Sequence, residues 1–358
     1  MKYTEDIDGT IKDDDGKILM FGIERFKSDI VMGECCFICG AKPSDKEFNA
    51  EHILPNWLLG KFSLHSRKIT LPNLEKQKYG GYTLPCCKDC NTRMGKYFET
   101  PISAAIAIGS DSFLEFVAKK ESQYLFNWLA LIFIKSHLKD AKLRAELDDS
   151  KKDERSIGER FYNYEHLHHI HCLARSFYTN AKWGPDVLGS VFIGSAKVMN
   201  GIESFDFIDS YEAHSLLLRI DDFFVCAVFD DSFRVIDNHV GEKFLSKVAM
   251  VKEGLTLLQM RELFARINHC ALSIEGWPTY HSGFNLQGEY QITAKRPQEW
   301  HFAQCNWDSL GKMIWNWCGP TLEKLGISDL EKEQVLSGKN TYLLDENGSF
   351  KTDSIVSK

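Results

Sequence analysis

Two cysteine pairs with the same internal spacing offer the first chemistry: Cys36-Phe37-Ile38-Cys39 and Cys87-Lys88-Asp89-Cys90. A Cys-x2-Cys knuckle turns the chain so that two sulfurs converge, and two knuckles complete a tetrahedral thiolate site for Zn²⁺. Cys36, Cys39, Cys87 and Cys90 are therefore the expected ligands of a structural zinc, with no role as nucleophiles. Cys35 and Cys86 each double the first cysteine of a knuckle. The two-residue spacing favours Cys36 and Cys87 and leaves the other two as bystanders. A redox pair or a plain structural zinc ribbon is the other reading of the same residues.

Between the knuckles, within residues 40–86, stands Glu51-His52-Ile53-Leu54-Pro55. A histidine near neutrality can take a proton from water. A carboxylate is a hard oxygen ligand suited to Mg²⁺. Neighbours on a strand point to opposite faces, so both can serve one phosphate only at a strand end or turn, and Pro55 supplies such a break. Directly after Cys90 comes Asn91, where a helix over 91–98 is expected to begin. Its side chain can reach a metal or cap that helix, and local sequence does not choose. Arg93 and Lys96 lie on the helix, and Lys61, Arg67 and Lys68 lie in the loop after His52. These five cations suit contacts to a nucleic-acid backbone, although a solvated surface explains them too.

The order Cys-x2-Cys, Glu-His-Ile-Leu-Pro, Cys-x2-Cys-Asn resembles the HNH endonuclease superfamily, the ββα-metal nucleases, in its zinc-stapled form. The likeness covers residues 34–99, with Glu51 to Leu58 similar to the end of the first strand and Cys87 to Met94 similar to the helix start. It implies that His52 is the general base and that Glu51 and Asn91 hold one Mg²⁺ or Mn²⁺. That ion would stabilise the pentavalent phosphate and the leaving 3′ oxygen. The family's middle asparagine orients the histidine; Asn73 is the candidate, with Thr83, nearer the second knuckle, as the fallback. Family members more often carry Asp where this chain has Glu51, and often His where it has Asn91, which leaves metal preference and activity open. The implied substrate is DNA, double-stranded, cleaved by phosphodiester hydrolysis. The layout also resembles bacterial restriction or anti-phage effectors, which implies a homo-oligomer or a partner protein. The alternative is a non-catalytic zinc protein that binds nucleic acid or a partner.

These residues need elements to position them. Residues 1–33 read as a lead-in with a turn at Asp13-Asp14-Asp15-Gly16, and 34–100 as the cysteine module, which has too few large apolar residues to fold without a metal. Over 101–149 apolar residues recur at helical spacing, as in Leu125, Trp128, Leu129, Ile132 and Phe133. Residues 150–358 are expected to form an α+β domain. Val187 to Val198, Ser204 to Ile208, His214 to Arg219, Phe223 to Phe229 and Phe233 to Ile236 read as antiparallel strands, and Gln259 to Ile267 as a helix. His166, His168, His169 and His171 read as a polar strand, or as a second metal site. Trp300, Trp307, Trp315 and Trp317 suit core packing or base stacking. The last twenty residues are polar and are expected to fray. The expected fold class is α+β: a zinc-stapled ββα module followed by a mixed helical and antiparallel-sheet domain.

The bulk numbers set bounds. With 358 residues and 44% hydrophobic content, two domains with proper cores are within reach. A net charge of −7 argues against a general nucleic-acid coat. Residues 34–99 nevertheless carry ten Lys/Arg against seven Asp/Glu, which leaves 33 against 43 elsewhere. The chain starts Met1-Lys2-Tyr3-Thr4-Glu5-Asp6, unlike a secretory leader, so a reducing cytoplasm is expected and the paired cysteines point to metal rather than disulfides. Cys172, Cys226, Cys270, Cys305 and Cys318 are expected to be plain core residues, and no membrane span is expected.

Overall fold

The computed structural model describes residues 3–199, 204–237, 239–249, 251, 253–338, 341–345 and 351. Most of the final segment expected to fray lies outside them. The protein is mixed α+β and divides into two compact units, one of residues 1–187 with 280–294 and one of 188–279 with 295–358. Among the described residues no helix is long and apolar enough to cross a membrane.

The first unit opens with a three-stranded antiparallel sheet, β1 (Tyr3–Glu5), β2 (Ile11–Asp13) and β3 (Ile18–Met20). A helical stretch over Ile23–Val31 leads to the first knuckle. The cysteine module follows as β4 (Phe48–His52), α1 (Asn56–Lys61), the small hairpin β5 (Lys68–Thr70) and β6 (Lys76–Lys78), β7 (Thr83–Cys87) and α2 (Lys88–Met94). A widened helical turn, Gly95–Glu99, carries the chain into α3 (Thr100–Ile108), then α4 (Ser110–Ala118) and α5 (Ser122–Asp140).

Helix α5 is the hub of this unit. Phe126, Leu129, Ala130, Ile132, Phe133 and Ile134 are fully buried, so it has no solvent stripe, as befits a helix packed on all sides. Among its buried polar residues, Asn127 donates to the Leu173 carbonyl at 2.5 Å, Asp140 accepts from the Tyr82 hydroxyl at 2.7 Å, and Lys135 pairs with Glu51.

The histidine-rich stretch corrects the expected strand. It is helix α6 (Tyr164–Ala174), begun by the Asn163 side chain accepting from the Glu165 amide at 3.0 Å. Leu167, Ile170, Leu173 and Ala174 recur at helical spacing and are buried, which outweighs the polar residues between them. A short strand, β8 (Lys182–Trp183), ends this part of the unit.

The second unit carries a four-stranded antiparallel sheet in the order β10-β11-β12-β9, built from β9 (Val191–Ser195), β10 (Phe205–Ser210), β11 (Ser215–Ile220) and β12 (Phe223–Val228). Strands β11 and β12 are buried along their whole length. Phe233 to Ile236, expected to be a strand, begins a helical turn instead (Arg234–Asp237). Ser232 and Phe233 take positive φ, and the Asp231 carboxylate accepts from the Val235 amide at 2.8 Å, which starts a helix where the ladder would have continued. Helix α7 (Leu257–Leu272) packs Met260, Leu263, Phe264 and Ile267 into the same core as Leu217, Phe224 and Cys226. The chain then returns to the first unit with β13 (Thr279–Phe284) and β14 (Tyr290–Lys295), the latter parallel to β8. It continues in the second unit with α8 (Trp307–Leu325), whose Trp317 packs against Phe264 at a ring distance of 4.9 Å, and with a further helix over Asp329–Leu336.

Candidate functional site

Cys36, Cys39, Cys87 and Cys90 come together so that all four Sγ atoms lie within 4.8 Å of one another. A tetrahedron with Zn–S bonds near 2.3 Å has edges of about 3.8 Å, and the Cys39–Cys87 sulfurs stand 3.6 Å apart. The four residues could hold one structural ion such as zinc, and their donor set fits it. Packed this closely, the thiols share protons. Hydrogen bonds from Cys39, then Cys86 and Cys90, hold Cys36 far below the usual thiol range. Cys39 is pushed up to about 12, chiefly by its bond to Cys36. Cys35 is half-buried outside the group; Cys86 is buried beside it, its sulfur 3.8 Å from that of Cys36.

The first knuckle is gripped by helix α6 and the residue after it. His171 Nε2 donates to the Phe37 carbonyl at 2.6 Å, and Arg175 Nε donates to the Ile38 carbonyl at 2.6 Å. Arg175 is fully buried and also reaches the carbonyls of Leu19 and Ile18. Burial, reinforced by Arg175, holds His171 well below the ordinary imidazole range, so it stays neutral. Two of the four clustered histidines, His168 and His171, thus bind backbone carbonyls, at Phe21 and Phe37. Gly40 closes the knuckle at φ +75°, and a Cβ there would lie 2.8 Å from the Phe21 ring.

The second knuckle joins β7 to α2. Strand β7 pairs antiparallel with β4, with Glu51 opposite Leu84 and His52 opposite Thr83. Helix α2 starts at Lys88 with Cys87 at its N-cap, so the knuckle itself is the first helical turn. This moves Asn91 from the expected helix start into the helix. Its Nδ2 donates to Asn49 Oδ1 on β4 at 3.0 Å, which ties α2 to that strand. Helix α1 and the β5–β6 hairpin lie between β4 and β7 in the chain, with one cysteine pair ahead of β4 and the other where β7 meets α2.

Strand alternation separates Glu51 from His52. Glu51 turns inward, 7% exposed, and pairs with Lys135 Nζ at 2.7 Å. The same ammonium donates to the His52 carbonyl at 2.8 Å, so Lys135 fixes the end of β4. Glu99 faces this pair; burial raises its carboxyl, Lys135 pulls it back and Glu51 adds to the rise. Lys135→Met leaves the Glu51 carboxylate buried without a partner and is expected to cost about 3–5 kcal/mol. The double variant Glu51→Leu with Lys135→Met should recover most of that loss in chemical denaturation. A single variant as stable as the wild type would refute the pairing.

His52 is half-buried, and its ring stands edge-on to that of His65 at 6.2 Å. His65 Nε2 lies 2.9 Å from Asn56 Oδ1, and both residues are exposed. Sequence reasoning assigned His65 and Asn56 no role; Asn56 lies in the Glu51 to Leu58 stretch and begins α1, and His65 follows that helix. Asn73 does not take the middle position expected of it. Its Nδ2 donates to Glu75 at 2.9 Å and to the Arg144 carbonyl at 3.1 Å, and its Oδ1 accepts from the Glu75 amide, so it shapes a turn instead. Thr83 sits across the strand pair from His52. Lys61, Arg67 and Lys68 are exposed. Arg93 is also exposed but donates to the Phe177 carbonyl at 3.1 Å and lies over the Tyr178 ring, while Lys96 is exposed.

The residues expected to hold a divalent ion do not fit one as arranged. Mg²⁺ and Mn²⁺ need several open oxygen ligands. The only carboxylate of the pair, Glu51, is already neutralised by Lys135. Glu51 is therefore corrected from an open ligand to a buried ion-pair partner, and Asn91 contacts Asn49 rather than Glu51.

Compared with known proteins, the chain matches no family model, no curated protein and no solved structure.

Proposed function

We propose that the β4–β7–α2 unit is a phosphodiester hydrolase of the HNH kind acting on double-stranded DNA, with His52 as general base. One observation carries the reading: of the antiparallel strand pair β4–β7, the second strand runs straight into a helix, four clustered cysteines tie its ends, and a half-exposed histidine stands at the tip of β4. In this reading the His52 imidazole takes a proton from water, the resulting hydroxide attacks phosphorus, and the P–O3′ bond breaks with the leaving 3′ oxygen taking a proton from solvent. Lys61, Arg67 and Lys68 hold the backbone by charge. A bound Mg²⁺ or Mn²⁺ would supply charge stabilisation, but Glu51 would first have to leave Lys135. A role as a bacterial defence effector follows by analogy of layout alone.

The Glu51–Lys135 pair favours a second reading, a non-catalytic zinc module that binds nucleic acid or a partner protein. Supercoiled plasmid separates the two. The zinc-loaded full chain is incubated with Mg²⁺, with Mn²⁺ and with neither. Nicking that vanishes in His52→Ala supports the hydrolase. A gel shift without nicking under every condition sinks it in favour of the binding module.

A further inference from the structure

A cleft of about 730 Å³ opens in the first unit, away from the His52 tip in sequence and lined by the turn after α2, the α4–α5 junction and β8. Its cations are Arg93, Lys96, Lys119, Lys120 and Lys182, against one carboxylate, Glu121. Among the described residues Lys96 and Lys182 have no carboxylate partner, and both are exposed. Lys120 lies over the Phe116 and Tyr124 rings.

Two features turn this basic surface into a site of a definite kind. The first is a fixed aromatic platform. Tyr97 is 48% exposed, yet it is braced by Phe98 at 4.6 Å, Tyr124 at 5.5 Å and Phe177 at 5.8 Å between ring centroids. The Tyr124 hydroxyl donates to the Tyr97 carbonyl at 2.5 Å and locks the backbone beneath it. The second is an unpaired acceptor. Asn127 lines the cleft at 4% exposure; its Nδ2 is spent on the Leu173 carbonyl, and its Oδ1 is sealed from solvent with no hydrogen-bond partner. A buried amide oxygen left unpaired costs free energy and calls for an N–H donor.

We propose that this cleft binds a nucleotide. The phosphate sits among Lys96, Lys182 and their neighbours, the base stacks on Tyr97, and a small shift of the side chains over Asn127 lets an N–H of the base donate to its Oδ1. Lysine ammonium groups suit phosphate as point charges, and cleft volumes of this order hold small ligands of nucleotide size. An inorganic anion would use the rim and leave both the ring and the amide idle. A nucleotide uses all three.

The test is calorimetric titration of the full chain with AMP, GMP, CMP and UMP, against ribose 5-phosphate and inorganic phosphate as probes without a base. At least one nucleotide is expected to bind about tenfold or more tighter than ribose 5-phosphate, from stacking. Lys96→Glu with Lys182→Glu, two exposed changes that spare the core, should weaken that nucleotide about tenfold or more. Equal affinity for nucleotide and ribose 5-phosphate, no effect of the double variant, or no binding at millimolar concentration would each overturn the proposal. So would binding of a single-stranded oligonucleotide but of no mononucleotide, which would make the cleft a strand groove. The readout is binding, so a negative result leaves the His52 reading standing, and loss of that reading leaves this one standing.

Discussion

Cys87→Ser is expected to strip the metal from the chain and unfold the cysteine module. Structural zinc supplies about 10–16 kcal/mol to isolated finger peptides, comparable with the whole stability of a typical domain at about 5–15 kcal/mol. Against expectation, residues 34–99 bury Ile53, Leu58, Leu64 and Phe98 among other apolar side chains, but the main strands β4 and β7 are five residues each and the thiolates join their ends. The neighbouring α5 has its own buried core, so the loss should be regional. Metal analysis is expected to fall from one zinc per chain to none, and amide protection should vanish over residues 34–99 while persisting in α5. Cys35→Ser, outside the cluster, should keep both the metal and the protection. A Cys87→Ser protein that retains one zinc and wild-type protection would show that the four thiols do not form the site.

His52→Ala is expected to slow plasmid nicking by about 10²–10⁴-fold, the range over which a positioned general base acts. Affinity for DNA should hold, because Lys61, Arg67 and Lys68 are untouched. The fold should hold as well: the ring is half-buried and packs edge-on to His65, while the backbone carbonyl that Lys135 grips remains. His65→Ala removes only the neighbouring ring and should cost less. Initial rates on supercoiled plasmid, with melting curves as the control, read both effects. Nicking that survives His52→Ala undiminished would remove the imidazole from the mechanism.

What could be read in the sequence was what local spacing determines. The two knuckles each turn within four residues, so Cys36, Cys39, Cys87 and Cys90 announce themselves without knowledge of the fold. The hairpin β11–β12 was legible from its turn at Asp221-Asp222, and α5 from its apolar spacing. What stayed hidden depends on distant partners. Glu51 looked like an open ligand because Lys135, its neutralising partner, lies 84 residues away. Asn73 looked free because Arg144 lies 71 residues away. The histidines of α6 read as a strand because their bonds run to the carbonyls of Phe21 and Phe37, on the lead-in and the first knuckle. Phe233 to Ile236 failed for the opposite reason: the run is so short that one Asp231 side-chain bond decides its form. The histidine helix is the instructive case, since residues that suggested a second metal site serve in part to hold the first one in shape.

The His52 reading stands on one ion held by four thiolates. Zinc-edge X-ray absorption on the full-length chain, purified without chelator, tests this most directly. The expected spectrum is one zinc with four sulfur neighbours at about 2.3 Å and no nitrogen shell. Fewer than four sulfurs, a histidine shell, or no bound zinc would contradict it.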